Sequence, residues 1–133
     1  MTDNINIGLK GHIIITSSSG EILFEEHNEI ESSAITIVAR CLTQLDFSKA
    51  VDKIRASGNF TAYEREVTKV DYNAGENSVK FTAVFFEEDF DGIVTKLELR
   101  CGTLNLNFAK KEGLNLAKDN NSRIQVDWKI YVS

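Results

Sequence analysis

The 133-residue sequence predicts a single mainly β domain, an antiparallel β-sandwich or open barrel with one amphipathic helix inserted after the first hairpin. Three observations predict this fold. Segments that alternate apolar and polar residues, as half-buried strands do, recur along the chain. Turns rich in Gly, Asn, Asp and Ser separate these segments at short intervals, which is typical of antiparallel folds. Only one segment, from residue 33 to residue 45, has a helical period.

The chain begins with a predicted hairpin. Residues 11–16 are rich in β-branched side chains, residues 17–20 form a Ser/Gly turn, and residues 21–26 return as the second strand. Residues 1–10 are expected to form an N-terminal arm. The chain contains no Pro, a residue that can protect an edge strand from pairing with another chain. We therefore expect a neighbouring subunit to cover an edge strand of this protein.

After the hairpin, apolar side chains are spaced three, four and three positions apart, as on one face of a helix. They are Ile35, Val38, Leu42 and Leu45. We expect this stripe to pack on the sheet, with Ile35 and Leu42 as core anchors, and either Ser32 or Ser33 as the N-cap. Residues 47–54 fit a helical turn, but a short strand over 51–56 fits equally well.

The second half of the chain is predicted to be nearly all strand. The expected strands are 65–72, 79–86, 93–101, 104–108 and 123–132, with a short piece at 114–116. The last strand has the clearest alternation, because every second residue from Ile124 to Val132 is apolar. The expected core anchors of these strands are Phe81, Phe85 and Trp128.

Composition excludes several classes of protein. The net charge of −5 and the pI near 5.0 argue against a general binder of nucleic acid or of anionic membranes, which needs a basic face. Two cysteines, Cys41 and Cys101, are too few for a disulfide framework and are expected to be buried free thiols. Because residues 1–10 lack the pattern of a signal peptide and no apolar run reaches about 18 residues, we expect a soluble protein made in a cytoplasm.

No constellation of residues predicts catalysis, a cofactor or a metal. His12 and His27 face each other across the predicted hairpin, but their spacing from nearby glutamates matches no known metal site. The acidic segment 87–92 has closely spaced carboxylates, yet lacks the ligand order of a calcium loop. The serine cluster at 17–19 has no nucleophile-elbow setting. We therefore expect a protein that is not an enzyme and binds no cofactor.

Two features are candidates for contact with a partner. Lys110 and Lys111 could form a small basic spot with Arg123 and Lys129, although the sequence favours solvated strand-edge lysines that discourage mispairing. Phe90 stands alone among acids in the 87–92 turn. Its pattern fits an exposed apolar contact for a partner, and it also fits burial beneath the same turn.

Taken in order, these segments resemble a family of small virion proteins of tailed bacteriophages, found among tail, baseplate or fibre genes. The resemblance covers residues 11–132. It is carried by Gly11–Ile15, Gly20–Ile22, Asn28–Ile30, the Ile35–Leu45 helix, Ile54–Gly58, Arg65–Val67, Gly75–Phe81, Phe108–Lys110, Lys118 and Ile124–Ile130. The chain departs from the family pattern in two places: its middle glycines are reduced to Gly58, and Lys96 stands where the family has Glu.

The resemblance implies a non-enzymatic structural component of a phage particle, most often in the tail, baseplate, fibre or collar region. Its expected partners are other virion proteins and copies of itself, and its expected location is the virion. A capsid decoration protein is the alternative within this class. A carbohydrate- or receptor-binding module is the alternative of another class, since Asp and Asn side chains crowd several predicted loops.

Overall fold

A computed structural model describes residues 8–43 and 51–133, and within them the chain forms ten strands and one helix. The elements are β1 (Leu9–Ser17), β2 (Ile22–Ile30), α1 (Ala34–Thr43), β3 (Lys53–Gly58), β4 (Tyr63–Glu66), β5 (Lys69–Asn73), β6 (Ser78–Phe85), β7 (Gly92–Cys101), β8 (Leu106–Lys111), β9 (Leu116–Lys118) and β10 (Ile124–Val132). None of the described helical structure is long and apolar enough to cross a membrane.

All strand pairs are antiparallel, and they build one curled sheet in the order β4-β3-β7-β8-β2-β1-β10-β6-β5, with β9 pairing with β7 off this path. The sheet curls into a half-barrel. The prediction of a mainly β antiparallel fold with one helix is therefore confirmed, and of the two predicted forms the structure is the open barrel.

The two ends of this sheet, β4 and β5, are consecutive in the chain. The N–H of Val67 donates to the carbonyl of Asp52, which continues the pairing of β4 with β3. One residue later, the N–H of Thr68 donates to the carbonyl of Thr82, which begins the pairing with β6. The chain thus leaves one end of the sheet and joins the other, which holds the curl together.

The final strand β10 lies between β1 and β6 and carries the alternation that the sequence predicts. Ile124, Val126, Trp128 and Ile130 are buried, and the residues between them are half-buried. Trp128 stands opposite Ile13 on β1 and Phe81 on β6. Because directly opposed residues share a sheet face, these rows define the inner face of the half-barrel.

The structure buries Trp128 and Phe85 completely, and Phe81 lies half-buried at the margin of the core. The indole Nε1 of Trp128 donates a 3.0 Å hydrogen bond to Oδ1 of Asn28 on β2. The Asn28 amide occupies the space beside Gly11, where an added Cβ would lie 2.0 Å from that oxygen. Glycine at position 11 therefore makes room for the partner of the buried indole.

Helix α1 packs on β8 with a different face from the one predicted. Ala34 and Ile37 are buried and Cys41 is half-buried, whereas Ile35 is 74% exposed and Val38 is exposed. The prediction of Ile35 as a core anchor is wrong. The Leu42 side chain and all of Leu45 lie outside what the structure describes.

The start of the helix explains which face is buried. The Ser33 hydroxyl donates to the carbonyl of Asn107, and the N–H of Glu31 donates to the carbonyl of Phe108. These bonds fix the rotation of α1 about its axis as the chain leaves β2. The Ser33 side chain therefore anchors the helix to the neighbouring segment of β8 by donating to it, instead of accepting from the helix as an N-cap.

Several boundaries differ from the prediction, and the single strand expected over 65–72 is divided into β4 and β5. Leu9 and Lys10 belong to β1, so the expected arm does not extend to residue 10, while residues 1–7 lie outside the described part of the chain. Of the two interpretations of residues 47–54, the described part, which starts at residue 51, fits the strand, as β3. Strand β8 extends three residues beyond the predicted end at residue 108 and includes Lys110 and Lys111.

Candidate functional site

The acidic turn between β6 and β7 is held to the barrel by three cations. Arg65 donates from Nε and Nη2 to the two carboxylate oxygens of Asp89. Arg123 pairs with Glu87 through Nε at 2.8 Å and Nη2 at 3.3 Å. Lys118 Nζ donates to the carbonyls of Glu87 and Phe90. The carboxylates of Asp89 and Glu87 therefore serve as internal partners of the fold.

The Asp89 carboxylate lies inside this turn, and its side chain is almost completely buried. Burial alone raises the pKa of Asp89. The hydrogen bonds from Arg65 and from the N–H of Phe86 outweigh that effect, and the pKa of Asp89 lies below its ordinary value. Burial also lowers the pKa of Lys118, whose ammonium faces backbone carbonyls. Both groups therefore have structural partners within the fold.

Of the two interpretations of Phe90, the structure fits burial beneath the turn and not an exposed contact for a partner. Its ring stacks on Phe60 at 4.2 Å between centroids with an interplanar angle of 2°, and meets the edge of Phe85 at 5.5 Å. The Lys118 Nζ lies 4.8 Å from its centroid. These aromatic contacts cover the Phe90 ring and keep it away from solvent. This result also removes Phe90 from the aromatic surface that a carbohydrate-binding module needs.

The lysines of the predicted basic spot all face acidic residues. Lys110 lies within ion-pair distance of Glu29, Glu31 and Glu112, and Lys111 lies 3.1 Å from Glu26. Arg123 and Lys129 pair with Glu87 and Glu76. Each of the four cations is therefore paired with at least one carboxylate, and together they do not form a basic patch.

His12 and His27 meet across the β1–β2 hairpin, as their positions in the sequence predict. Their ring centroids are 5.0 Å apart in an edge-to-face arrangement, and Nε2 of His12 lies 2.9 Å from Glu25. Across residues 8–43 and 51–133, no three histidine, cysteine or acidic side chains cluster in a way that could hold a metal ion. The pair is a surface contact between neighbouring strands.

The feature best placed to act on another molecule is an exposed apolar stripe on β5, consisting of Val70 and Tyr72. The two side chains are 56% and 67% exposed. Val70 stands opposite Phe81, and Tyr72 opposite Val79, so the stripe continues the inner apolar face of the barrel. Apolar surface that runs from a core to solvent without a cover is typical of interaction sites.

Strand β5 also has an unpaired edge. One edge pairs with β6, and no strand within residues 8–43 or 51–133 pairs with the other. An edge strand offers alternate N–H and C=O groups to a further strand, so an apolar stripe on such a strand can bind through both backbone and side chains. Lys69 and Asp71 occupy the opposite face of β5, with Nζ 3.5 Å from the carboxylate oxygen.

A second exposed apolar area is smaller and recessed. Leu23 and Ile93 are partly exposed at a cleft of about 450 Å³ that is also lined by Lys118, Asp119 and Arg123. Leu23 and Ile93 lie on separate strands with charged side chains around them, so they do not make a continuous edge. The cleft lies beside the ion pairs of the acidic turn.

Sequence reasoning paired Val70 with Tyr72 on one strand face but did not identify them as a site. The alternation Lys69-Val70-Asp71-Tyr72-Asn73 predicts a strand, and it carries no information about which strand ends the sheet. That position depends on pairings between residues distant in the chain. The absence of Pro, which indicates an unprotected edge, is the one sequence signal that points toward such a surface.

The fold and this surface define a class: a small antiparallel β half-barrel with a packed interior and an exposed apolar strand at one end of its sheet. Comparison of the chain with models of protein families, with curated proteins and with solved structures gives no match in any of the three.

Proposed function

We propose that this chain is a non-enzymatic structural component of a bacteriophage particle that acts by assembly with other proteins through the β5 stripe. The single observation that carries the proposal is the exposure of Val70 and Tyr72 on a strand whose second edge has no partner in the described chain. Such a strand adds a neighbour by β-augmentation, with main-chain bonds for affinity and apolar contacts for specificity.

The rest of the molecule supports an assembly role over chemistry. Asp89 and Lys118, whose pKa values both lie below their ordinary values, have partners within the fold. The inner face is filled by apolar side chains that include Trp128, Phe85 and Ile13. A small rigid domain of this kind presents its outer surfaces and edges to partners.

The phage assignment rests on the resemblance of the ordered segments to small virion proteins of tailed phages. Within the particle we favour the tail, baseplate, fibre or collar region, where that family is found. Capsid decoration is the alternative location. The carbohydrate-binding alternative receives less support, because Phe90 is buried and Asp89 is paired with Arg65.

The test is to purify particles of the phage that encodes the chain, wash them at high salt and quantify the protein by mass spectrometry. We expect many copies in each particle, in the tail fraction when heads and tails are separated. Presence in heads alone would assign the protein to capsid decoration and overturn the tail location. Presence in the lysate but not in particles would overturn the proposal.

A matched pair of variants tests the role of the stripe. Val70→Thr with Tyr72→Thr removes apolar surface and keeps β-branched residues in the strand. Ile22→Thr is the control, since Ile22 is 57% exposed on another strand. We expect the copy number in particles to fall at least about tenfold for the β5 variant and to stay unchanged for the control. Equal incorporation of both would exclude the β5 stripe as the assembly surface.

A further inference from the structure

We infer that the partner of the β5 stripe is the same strand of a second copy of this chain, paired antiparallel with Val70 on the two-fold axis and Lys69 of each copy opposite Asp71 of the other. This inference rests on the proposed function, because it assumes that the stripe is an assembly surface. It adds the identity of the partner and the register of the pairing.

Symmetry restricts the available registers. A two-fold axis perpendicular to the sheet keeps the apolar faces of both copies on the same side, so each residue faces one of the same parity. Three such registers keep β5 in contact with itself, centred on Val70, Asp71 or Tyr72. A slip by one residue would place the apolar stripe of one copy beside the polar face of the other.

Charge selects one register from the three. Centring on Asp71 places the two carboxylates directly opposite each other, which opposes pairing. Centring on Tyr72 sets Asp71 against Asn73 and moves Val70 beyond the partner strand. Centring on Val70 sets Lys69 against Asp71 twice, brings the two valines together and places Tyr72 against Thr68. Only the last register gives two opposite-charge pairs and keeps the apolar stripe covered.

Local neutrality makes a second copy a suitable partner despite the acidity of the chain. The whole chain has a net charge of −5, so most pairs of faces from two copies would repel. Residues 69–73 contain one cation and one anion, Lys69 and Asp71, whose side chains are largely solvent-accessible on the same face. The strand is therefore self-complementary in charge, which isologous contacts require.

The test uses charge exchange and sedimentation velocity at roughly 0.1–0.5 mM protein, a range suited to a contact smaller than the ~1,200 Å² of a standard interface. We expect the native protein to dimerise. Lys69→Asp and Asp71→Lys, each alone, place like charges opposite each other at both ends and should raise the dimer dissociation constant at least about tenfold.

Mixing the two single variants in equal amounts should restore dimers, because every Asp then faces a Lys. The double variant Lys69→Asp/Asp71→Lys should dimerise by itself for the same reason. Glu66→Lys on the other edge strand, β4, makes a comparable charge change beside Lys53 and should leave the dimer unchanged. Circular dichroism checks that each variant keeps its strands.

A covalent test reads the register directly. Cysteine at position 70 meets its own copy on the axis at a Cα separation of about 4.5–5.5 Å, within the range for a disulfide. Val70→Cys should give a disulfide-linked dimer on oxidation, and Ile22→Cys should not. A monomeric native protein, no recovery on mixing, or equal cross-linking of the two cysteine variants would each overturn the inference.

These results are separable from those for the proposed function. If the native protein is monomeric while the Val70/Tyr72 double variant still fails to enter particles, the second-copy inference fails and the assembly surface stands. If the dimer forms in the expected register but particles contain none of the protein, the proposed function fails and the pairing of β5 with a second copy stands.

Discussion

At the scale of single residues, Trp128 connects the fold to its sequence pattern most clearly. It is fully buried, lies between Ile13 and Phe81 in neighbouring strands, and directs its one polar atom to Asn28. A buried indole N–H needs a partner, and the Gly11 position leaves space for it. The alternation of β10 predicts that Trp128 faces inward, whereas its partner 100 residues away depends on the β1–β2 register.

Trp128→Ala should lower the free energy of unfolding by roughly 3–5 kcal/mol, because it empties a large core volume. Trp128→Phe should lower it less, because the ring remains while Oδ1 of Asn28 loses its donor. Urea denaturation of both variants measures these losses. A loss under about 1 kcal/mol for the alanine variant would show that Trp128 does not anchor the core.

The two isoleucines of α1 provide a matched test of the corrected helix face. Ile37 is buried, and Ile35, two residues earlier on the opposite face of the same helix, is largely exposed. Ile37→Ala should cost roughly 2–5 kcal/mol, and Ile35→Ala should stay within about 0.5 kcal/mol of the native protein. Since both substitutions change helix propensity equally, their difference measures burial. Equal losses of unfolding free energy in the two variants would contradict the burial of the Ile37 face and would support the Ile35 face that the sequence predicts.

At the scale of elements, the acidic turn depends on the pair Arg65–Asp89. The pKa of Asp89 in the folded protein lies below its ordinary value of 3.8. At a pH between the folded and the ordinary pKa of Asp89, the unfolded state binds more protons than the folded state. The contribution of Asp89 to stability is therefore complete above the ordinary pKa and is lost as pH falls through the pKa of the folded state. Acid should therefore loosen the connection between β6 and β7.

Asp89→Asn should cost roughly 2 kcal/mol near neutral pH, since a charged hydrogen-bond partner is removed from a buried site. The difference in unfolding free energy between the native protein and this variant should shrink as pH falls below about 4. Asp71→Asn is the control, because its exposed ion pair with Lys69 contributes under ~1 kcal/mol. A difference that stays constant from pH 7 to pH 3 would contradict the assignment.

Local patterns predict most of the elements. β-branched content and alternation predict the segments that became β1, β2, β6, β7 and β10. The face of α1 could not be predicted in the same way. Seven of its ten residues are apolar or small, so two helical stripes fit the period. The choice between them depends on bonds from Glu31 and Ser33 to β8, which no local pattern encodes.

At the scale of the whole molecule, the candidate site follows from topology. The chain joins the two ends of its curled sheet through Val67 and Thr68, which leaves β5 with one unpaired edge in the described chain. Cross-strand ion pairs neutralise much of the outer face, as at Lys111 with Glu26. The β5 stripe is apolar surface on such an unpaired edge, and a sequence without known pairings cannot place it there.

The central claim is that the edge of β5 becomes covered when the protein assembles. Amide hydrogen exchange of residues 68–73, compared between the free protein at low concentration and the protein in purified particles, tests it most directly. We expect the outward-facing amides of β5 to exchange rapidly when free and to become protected in particles, while amides of β10 stay protected in both. Unchanged exchange in β5 would contradict the account.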